Sequence, residues 1–570
     1  MLSNIQIVRM NYVIIGAVAG GASTAARLRR MDEKANIILF EKTDYISYAN
    51  CGLPYYIGDV IKDRNKLFVQ TAASFKSRFN IDVRTKTEVT AIDAANKTVT
   101  AKNLATGKEY TEHYDKLILS PGAEPIRPPL PGINERGIFT LRNVADTDVI
   151  RSYVQKFPFG KAVIIGAGFI GLEMAENLHN IGMDVSIVEM ANQVMAPLDY
   201  PMAALVQQHI RPKVNLYLNT TVTGFKREGD QLSVLLKDEV PLEADILILS
   251  IGVRPDTRLA VMAGLEIGNA KGIVVNEYLQ TSDPNIYAVG DAIEFVSPIT
   301  GLSTNTFLAG PANKQGRICA NNIVLGNTQK YEGSINTAIA KVFDMTVATA
   351  GVPVKQLKKL GIEHHVSTTF SGSHAEYYPG AEKMTIQLAF TPGAGRLLGA
   401  QVVGYSGVDK RLDLLASVIK RGGTIYELTE IEHAYAPPFS SAKDPVNIAG
   451  FVAENILRNR IKMFNWEKAT SLDNESILLD VRTAEEFRKG NIDGAINIPI
   501  DELRSRMNEL PRSKTIYVYC QIGLRGYLAS RILLQSGFDD VFNLSGGYRL
   551  WDACSKEKEE TVVQSGTLIA

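Results

Sequence analysis

"KAVIIGAGFIGLEMAENLHNIG", residues 161–182, decides how the chain is read. A short apolar run ends at Gly166, and Gly168 and Gly171 complete G-x-G-x-x-G before helical spacing begins. A strand, tight turn and helix in this order put the pyrophosphate of a dinucleotide at a helix N-terminus. The next strand-like run, "DVSIVEMA", ends at Glu189, where a carboxylate bonds a free ribose 2'-hydroxyl and repels a 2'-phosphate. No arginine lies within residues 190–193 to accept a phosphate, so NADH is the expected dinucleotide. Phe169 and Ile170 inside the motif, and Gly252 in the later turn "LSIGVRP", complete the expected NAD contacts.

Upstream, "YVIIG", "AVAGGASTAARLRRM" and "NIILFEK" form another βαβ unit. Gly16 and Gly21 hold the outer motif positions, Val18 replaces the middle glycine and Gly20 is additional. A tight turn without a ligand is the alternative. Against it stands Glu41, which closes the next strand 20 residues after Gly21 and suits the ribose of an adenine nucleotide. The closing strand "YDKLILSPGAEP" is echoed by "ADILILSIGVRPDT", so the two halves share a plan. Gly290-Asp291 in "TSDPNIYAVGDA" can put a carboxylate on a ribityl hydroxyl, although Gly-Asp is also an ordinary turn. Two dinucleotide sites in one chain imply a flavin taking hydride from a nicotinamide. FAD is expected on Gly16, Ala17, Gly20, Gly21, Glu41, Lys42, Ser120, Gly122, Gly290 and Asp291.

The totals set limits. The chain has 570 residues, enough for several domains, and its formal net charge is zero, which argues against nucleic acid or an anionic membrane as partner. No apolar run approaches the roughly 20 residues of a membrane span, and "MLSNIQIVRMNYVIIG" lacks the layout of a signal peptide. Four scattered cysteines make no disulfide scaffold, so a reduced, cytoplasmic protein is expected. No metal site is expected.

Two cysteines stand in informative settings. Cys51 is alone in "SYANCGLPYY", residues 47–56, where flavoenzymes that reduce disulfides usually carry a pair. Ser23, Arg27 and Arg30 share one face of the first helix, either as a solvated stripe or as contacts for a second phosphorylated ligand. Cys520 ends a strand and opens the loop "CQIGLRG", whose backbone N–H groups and following helix can form an anion nest around a thiolate or persulfide. Arg525 would add positive charge at its rim.

"GAVAGGAS", "SYANCGLPYY", "YYPGA" and "YAPPFSSAKDPVN" together resemble the pyridine nucleotide–disulfide oxidoreductases, specifically the coenzyme A disulfide reductases. "LLDVRTAEEFRKGNIDGAINIP" and the Cys520 loop resemble a rhodanese domain, with Asn491 and Asp493 departing from the frequent "GHIPGA". The whole resembles reductase–rhodanese fusions, NADH-dependent persulfide reductases among them. The resemblance implies an α/β chain with a FAD-binding domain at 1–120 and 281–330 and a NAD-binding domain at 121–280. It further implies an α+β dimerisation domain at 331–455, a linker at 456–474, an α/β rhodanese domain at 475–555 and a loose polar tail at 556–570. It makes Cys51 the nucleophile, cycling through a mixed disulfide with coenzyme A, and Cys520 the carrier of sulfane sulfur. Coenzyme A contacts are implied at Ser23, Arg27, Arg30, Ser47, Asn50, Asn313 and Lys443, with Lys76 and Arg78 as candidates for its 3'-phosphate. Tyr377, or its neighbour Tyr378, and Tyr435 would reach the active site across a homodimer; Phe439 stands where relatives often have another tyrosine. The substrates implied are coenzyme A persulfide, polysulfide and coenzyme A disulfide. The competing readings are a plain coenzyme A disulfide reductase, and an NADH peroxidase or oxidase working through a sulfenic acid.

Overall fold

The computed structural model describes residues 9–473 and 475–564. The chain divides into two compact units: Met1–Gly166, Glu173–Val185 and Thr223–Asn336 form one, and Ala167–Leu172, Ser186–Val222 and Thr337–Ala570 the other.

The first unit is built on a parallel sheet in the order Ile286–Ala288, Lys116–Leu119, Asn11–Ile15, Asn36–Phe40, Asp82–Arg84. Its central strand is apolar without alternation because both faces are covered; Val13 and Ile14 are fully buried. The helix Ala19–Met31 follows the central strand and packs on the helix Ala309–Leu325, so closely that a Cβ at Gly316 would lie 2.7 Å from the Gly20 carbonyl. A second set of parallel strands runs Lys161–Ile165, Ile246–Leu249, Ile138–Thr140. The shared plan of the two halves extends to their turns. Gly16 and Gly166 both have φ near +100°, and a Cβ would lie 2.0 Å and 2.5 Å from the carbonyls of Ser120 and Ser250. Only glycine fits there.

In the second unit Ser186–Val188 pairs in parallel with Asn215–Tyr217, and the helix Tyr200–Ile210 lies between them in sequence. An antiparallel sheet orders Ala338–Val342, Met345–Gly351, Leu397–Gly404, Lys383–Phe390 and His365–Gly372. The helices Val408–Lys420 and Pro445–Leu457 pack on it. A parallel sheet orders Lys462–Phe464, Val541–Leu544, Thr515–Tyr519, Ser476–Asp480 and Ile496–Asn497.

In the antiparallel sheet, Ala338–Val342 and Met345–Gly351 form a hairpin, Phe343 taking a left-handed φ of 56° where the chain reverses. Two expectations are corrected. Residues 456–474 are not a free linker: Lys462–Phe464 is the edge strand of the last sheet, and Phe464 and Ala469 are buried in its core. The stretch after Cys554 is not loose as far as Gln564. The helix Gly547–Gln564 continues through it and buries Glu557, whereas residues 565–570 lie outside the described residues.

Candidate active site

The first glycine turn is closed by its own carboxylate. Glu41 accepts from Ala17 N at 3.1 Å through one oxygen and from Thr43 N at 2.8 Å through the other. The second turn repeats this: Glu189 accepts from Ala167 N at 2.8 Å and from Ala191 N at 2.9 Å. No side chain caps the helix Ala19–Met31 at Val18, so its first N–H groups are left for an anion. Space beyond Gly168 is open, with no heavy atom within 4 Å of where a Cβ would stand. Gly122 and Gly252, both with positive φ, follow the two closing strands, and the short strands after them pair antiparallel. Lys42 is exposed and pairs with Glu124 at 3.1 Å. Gly290-Asp291 lies in a 3-10 turn after the strand Ile286–Ala288, and burial pushes the Asp291 carboxyl up to about 6.

A cavity of about 630 Å³ gathers Ser23, Arg27, Arg30, Ser47, Asn50, Cys51 and Asn313 in one wall. The helical stripe therefore faces a ligand-sized space. Ser23 hydrogen-bonds Asn313 across the two packed helices, and Arg27 Nε donates to Asn321 at 2.9 Å. Arg317 and Gln70 also line the cavity, and sequence reading missed both. The signal for Arg317 was its place one helical turn after Asn313. Burial and the guanidiniums of Arg317 and Arg30 push Arg27 down, as expected where three cations crowd a space suited to phosphate. Ser47 holds a left-handed φ of 45°, locked by its N–H on the Ala17 carbonyl at 2.8 Å and by Val69 N on its own carbonyl at 2.9 Å. Strain of this kind persists where the surroundings over-determine it, often at ligand clamps. Lys76 and Arg78 are not in the wall. The helix Ala72–Phe79 turns Phe75 and Phe79 inward and leaves those two cations exposed.

Cys51 sits in a 3-10 turn, Asn50–Gly52, that runs into the helix Leu53–Ile57. It is accessible from the cavity. Partial burial of the sulfur, then the charges of Glu173 and Asp291, push its thiol up, while a backbone hydrogen bond opposes them. Glu173, two residues after the second glycine motif, was not foreseen. Burial and Glu176 push it up to about 7, and a hydrogen bond from Tyr55 opposes. Its helix meets the one after Cys51: a Cβ at Gly58 would lie 2.3 Å from Asn177 Oδ1.

Tyr377 and Tyr435 meet, Oη to Oη at 2.7 Å, on two exposed loops, and the hydrogen bond raises the Tyr377 hydroxyl. Tyr378 instead packs its ring against His374. The loops are tied from below by a desolvated cluster. Asp444 accepts from Arg411 at 2.8 Å and from Ser440 at 2.6 Å, and Arg411 also donates to the Ser373 carbonyl at 2.9 Å. Lys443 is exposed beside Asp444, the N-cap of the helix Pro445–Leu457.

Cys520 is 1% exposed, and Gly523 N donates to its sulfur at 3.2 Å. Arg525 stands beside Cys520 and interacts with its sulfur, while its guanidinium also grips Glu486 in two hydrogen bonds of 2.7 and 2.6 Å. That contact holds Glu486 down at about 2. The turn "NIDGA" closes, with Ala495 N donating to the Ile492 carbonyl. Cys319 and Cys554 are fully buried, and burial raises both thiols far above their ordinary range. Among the described residues, no group of three or more His, Cys, Asp or Glu could hold a metal, and no helix is long and apolar enough to cross a membrane.

Two carboxylate-latched glycine turns, with a lone accessible thiol beside the first, define a redox protein that handles two dinucleotides. Family models agree: residues 10–316 match pyridine nucleotide-disulphide oxidoreductase, 337–445 its dimerisation domain, and 465–554 a rhodanese-like domain. The coenzyme A disulfide reductase of Staphylococcus haemolyticus (strain JCSC1435) is 36% identical over 450 residues, which is 78% of this chain and 99% of that protein. Reduced Bacillus anthracis CoADR-RHD superposes with a TM-score of 0.94 at 48% identity, over 96% of this chain and 99% of that one. An NAD-dependent persulfide reductase from A. fulgidus superposes with a TM-score of 0.89 at 40% identity, over 95% and 100%. The chain belongs to the pyridine nucleotide-disulphide oxidoreductase family. Within it, the chain is a flavoprotein disulfide oxidoreductase of the class its coenzyme A disulfide reductase relatives represent, extended by a rhodanese domain. The family uses FAD and NAD(H), and the uncapped helix start at Val18 and the open space at Gly168 fit such groups.

Proposed function

We propose that the chain acts as a homodimer that spends NADH on the reduction of coenzyme A persulfide, polysulfide and coenzyme A disulfide. The observation that carries this reading is the cavity that joins Cys51 to three arginines: a phosphorylated ligand with a thiol end fits it. FAD, held by the first glycine turn, supplies the passage of two electrons from NADH to sulfur. Glu189 favours NADH through the free 2'-hydroxyl.

The thiolate of Cys51 attacks the inner sulfur of coenzyme A persulfide. A mixed disulfide between Cys51 and coenzyme A forms and hydrosulfide leaves. Cleavage of that bond by the two electrons of NADH returns the Cys51 thiolate and coenzyme A. The balance is persulfide, NADH and one proton to coenzyme A, hydrogen sulfide and NAD+. With coenzyme A disulfide the first leaving group is a coenzyme A thiolate instead; in both cases the more acidic thiol leaves more readily. Ser47, Asn50, Arg27 and Arg30 orient the ligand, with Arg317, Asn313 and Lys443 as further contacts. The Tyr377–Tyr435 pair, on the dimerisation domain, serves the other subunit by donating a proton to the departing sulfur. Cys520 takes sulfane sulfur from a donor such as thiosulfate, releasing sulfite, and passes it from its persulfide to the thiolate of coenzyme A.

Steady-state NADH oxidation with coenzyme A persulfide, coenzyme A disulfide and peroxide, compared side by side, tests the reading. The sulfur substrates should far exceed peroxide, Cys51→Ser should abolish turnover, and Cys520→Ser should lose only turnover that begins from an external sulfur donor. Peroxide as the best substrate would refute it.

A further inference from the structure

The helix Gly547–Gln564 is tied at two places, its first turn and Glu557. Its first turn carries the backbone of the Cys520 loop: Tyr548 N donates to the Cys520 carbonyl at 2.8 Å, and Arg549 N to the Gln521 carbonyl at 3.0 Å. Tyr548 is further held under the Arg482 guanidinium, 4.0 Å from its ring centroid. One turn on, Leu550 and Cys554 pack with Ala204 from the helix Tyr200–Ile210 and with Phe370 from the antiparallel sheet. Ile522, two residues after Cys520, is packed against this same apolar seam. Farther along, Glu557 is buried beneath the helix Tyr200–Ile210 and its C-cap: both of its oxygens accept from Arg211 Nε at 3.0 Å, and Gln207 Nε2 donates at 2.9 Å. A rhodanese-like fold needs this helix for its own core. It does not need a buried glutamate answered by an arginine from another part of the chain.

We propose that this helix is a brace through which the nucleotide-binding and dimerisation parts of the second unit set the conformation of the Cys520 loop. Arg211 and Glu557 are then positioning residues for sulfur transfer, acting through the helix and never touching the sulfur. An α-helix of 18 residues spans about 27 Å, so a clamp at Glu557 fixes the direction in which the first turn presents its N–H groups to the loop. The coupling is physical contiguity of packed elements. The inference rests on the proposed role of Cys520 in taking up sulfane sulfur, and its test separates the two.

The experiment uses the full-length holoprotein and two readouts on Cys520. One is sulfur transfer from thiosulfate to cyanide; the other is the rate of iodoacetamide alkylation of Cys520, followed by peptide mass. Arg211→Glu faces the buried Glu557 with a like charge and leaves every rhodanese residue intact. It should lower kcat for sulfur transfer by about tenfold to a hundredfold, the scale of a misplaced catalytic group. It should also speed Cys520 alkylation by about tenfold as the loop opens. NADH oxidation with coenzyme A disulfide should be unchanged. The charge swap Arg211→Glu with Glu557→Arg should restore both Cys520 readouts, and Phe370→Ala should reproduce the loss from the sheet side of the seam. Unaltered transfer and alkylation rates in Arg211→Glu and Phe370→Ala would overturn the brace. Wild-type protein that transfers no sulfur would instead refute the role given to Cys520, with alkylation still reporting on the brace.

Discussion

Replacing Glu173 by glutamine tests the electrostatics around Cys51. The carboxyl is pushed up to about 7 from an ordinary 4.5. At about 1.36 kcal/mol per pH unit between the two values, the ionised carboxylate costs about 3 kcal/mol of folding free energy at pH 8.5. The folded value lies above the unfolded one, so the native state binds the proton more tightly. Stability therefore rises as pH falls through 7 and is fully regained below 4.5, while the penalty is complete above 7. Glutamine carries no charge at any pH and keeps a polar partner for Tyr55. Glu173→Gln should be more stable than the parent by up to about 3 kcal/mol at pH 8.5 and about equal to it at pH 4.5, read by urea unfolding at both. Because Glu173 is one of the two carboxylates that raise Cys51, the pH profile of Cys51 alkylation should also move toward lower pH. A gain of the same size at both pH values, or an unmoved alkylation profile, would refute the reasoning.

Other consequences are equally direct. Asp444→Ala strands the buried Arg411 guanidinium and removes a helix cap, so it should cost about 3–5 kcal/mol in urea unfolding and lower turnover by freeing the Tyr377 and Tyr435 loops. Arg317→Ala should raise KM for coenzyme A substrates by about tenfold to a hundredfold, the worth of one charge-assisted hydrogen bond, with KM for NADH unchanged. Glu189→Ala removes the repulsion of a 2'-phosphate and should narrow the ratio of kcat/KM for NADH over NADPH. It should also loosen the turn, since Ala167 and Ala191 lose their acceptor.

Much of this architecture is legible in the sequence for a physical reason. Parallel strands buried on both faces are uninterrupted apolar runs, so Tyr12–Ile15 and Ala162–Ile165 announce themselves. Gly16 and Gly166 are forced by carbonyls within 2.5 Å of a Cβ, which makes the glycine motifs reliable landmarks. The stripe Ser23, Arg27, Arg30 needs only helical spacing to share a face, although that the face lines a cavity comes from the fold. The failures are contacts between residues far apart in sequence. Lys76 and Arg78 look as useful as any cations, yet Phe75 and Phe79 of the same helix line the cavity and those two cations stand exposed outside its lining. Arg525 stands at Cys520, as its place in the loop suggests, but nothing in the sequence shows that Glu486, 39 positions earlier, holds it as well. Glu557 reads as a solvated charge in a polar stretch, and Arg211 and Gln207, 346 and 350 positions away, are what meet it where it is buried. Phe343 is the opposite case: a local left-handed turn at a residue type that gives no warning of one.

Sulfane sulfur passes between thiolates, and every thiolate in the protein is a possible stop along the way. The two remaining cysteines are sealed against that traffic. Cys319 and Cys554 have no exposed surface, and burial holds their thiols protonated at any physiological pH. A thiol held protonated by burial neither attacks a persulfide nor receives sulfur from one. Cys51 and Cys520 differ from them in kind: one opens on the cavity, and the other, equally enclosed, has the Gly523 N–H and the Arg525 guanidinium at its sulfur.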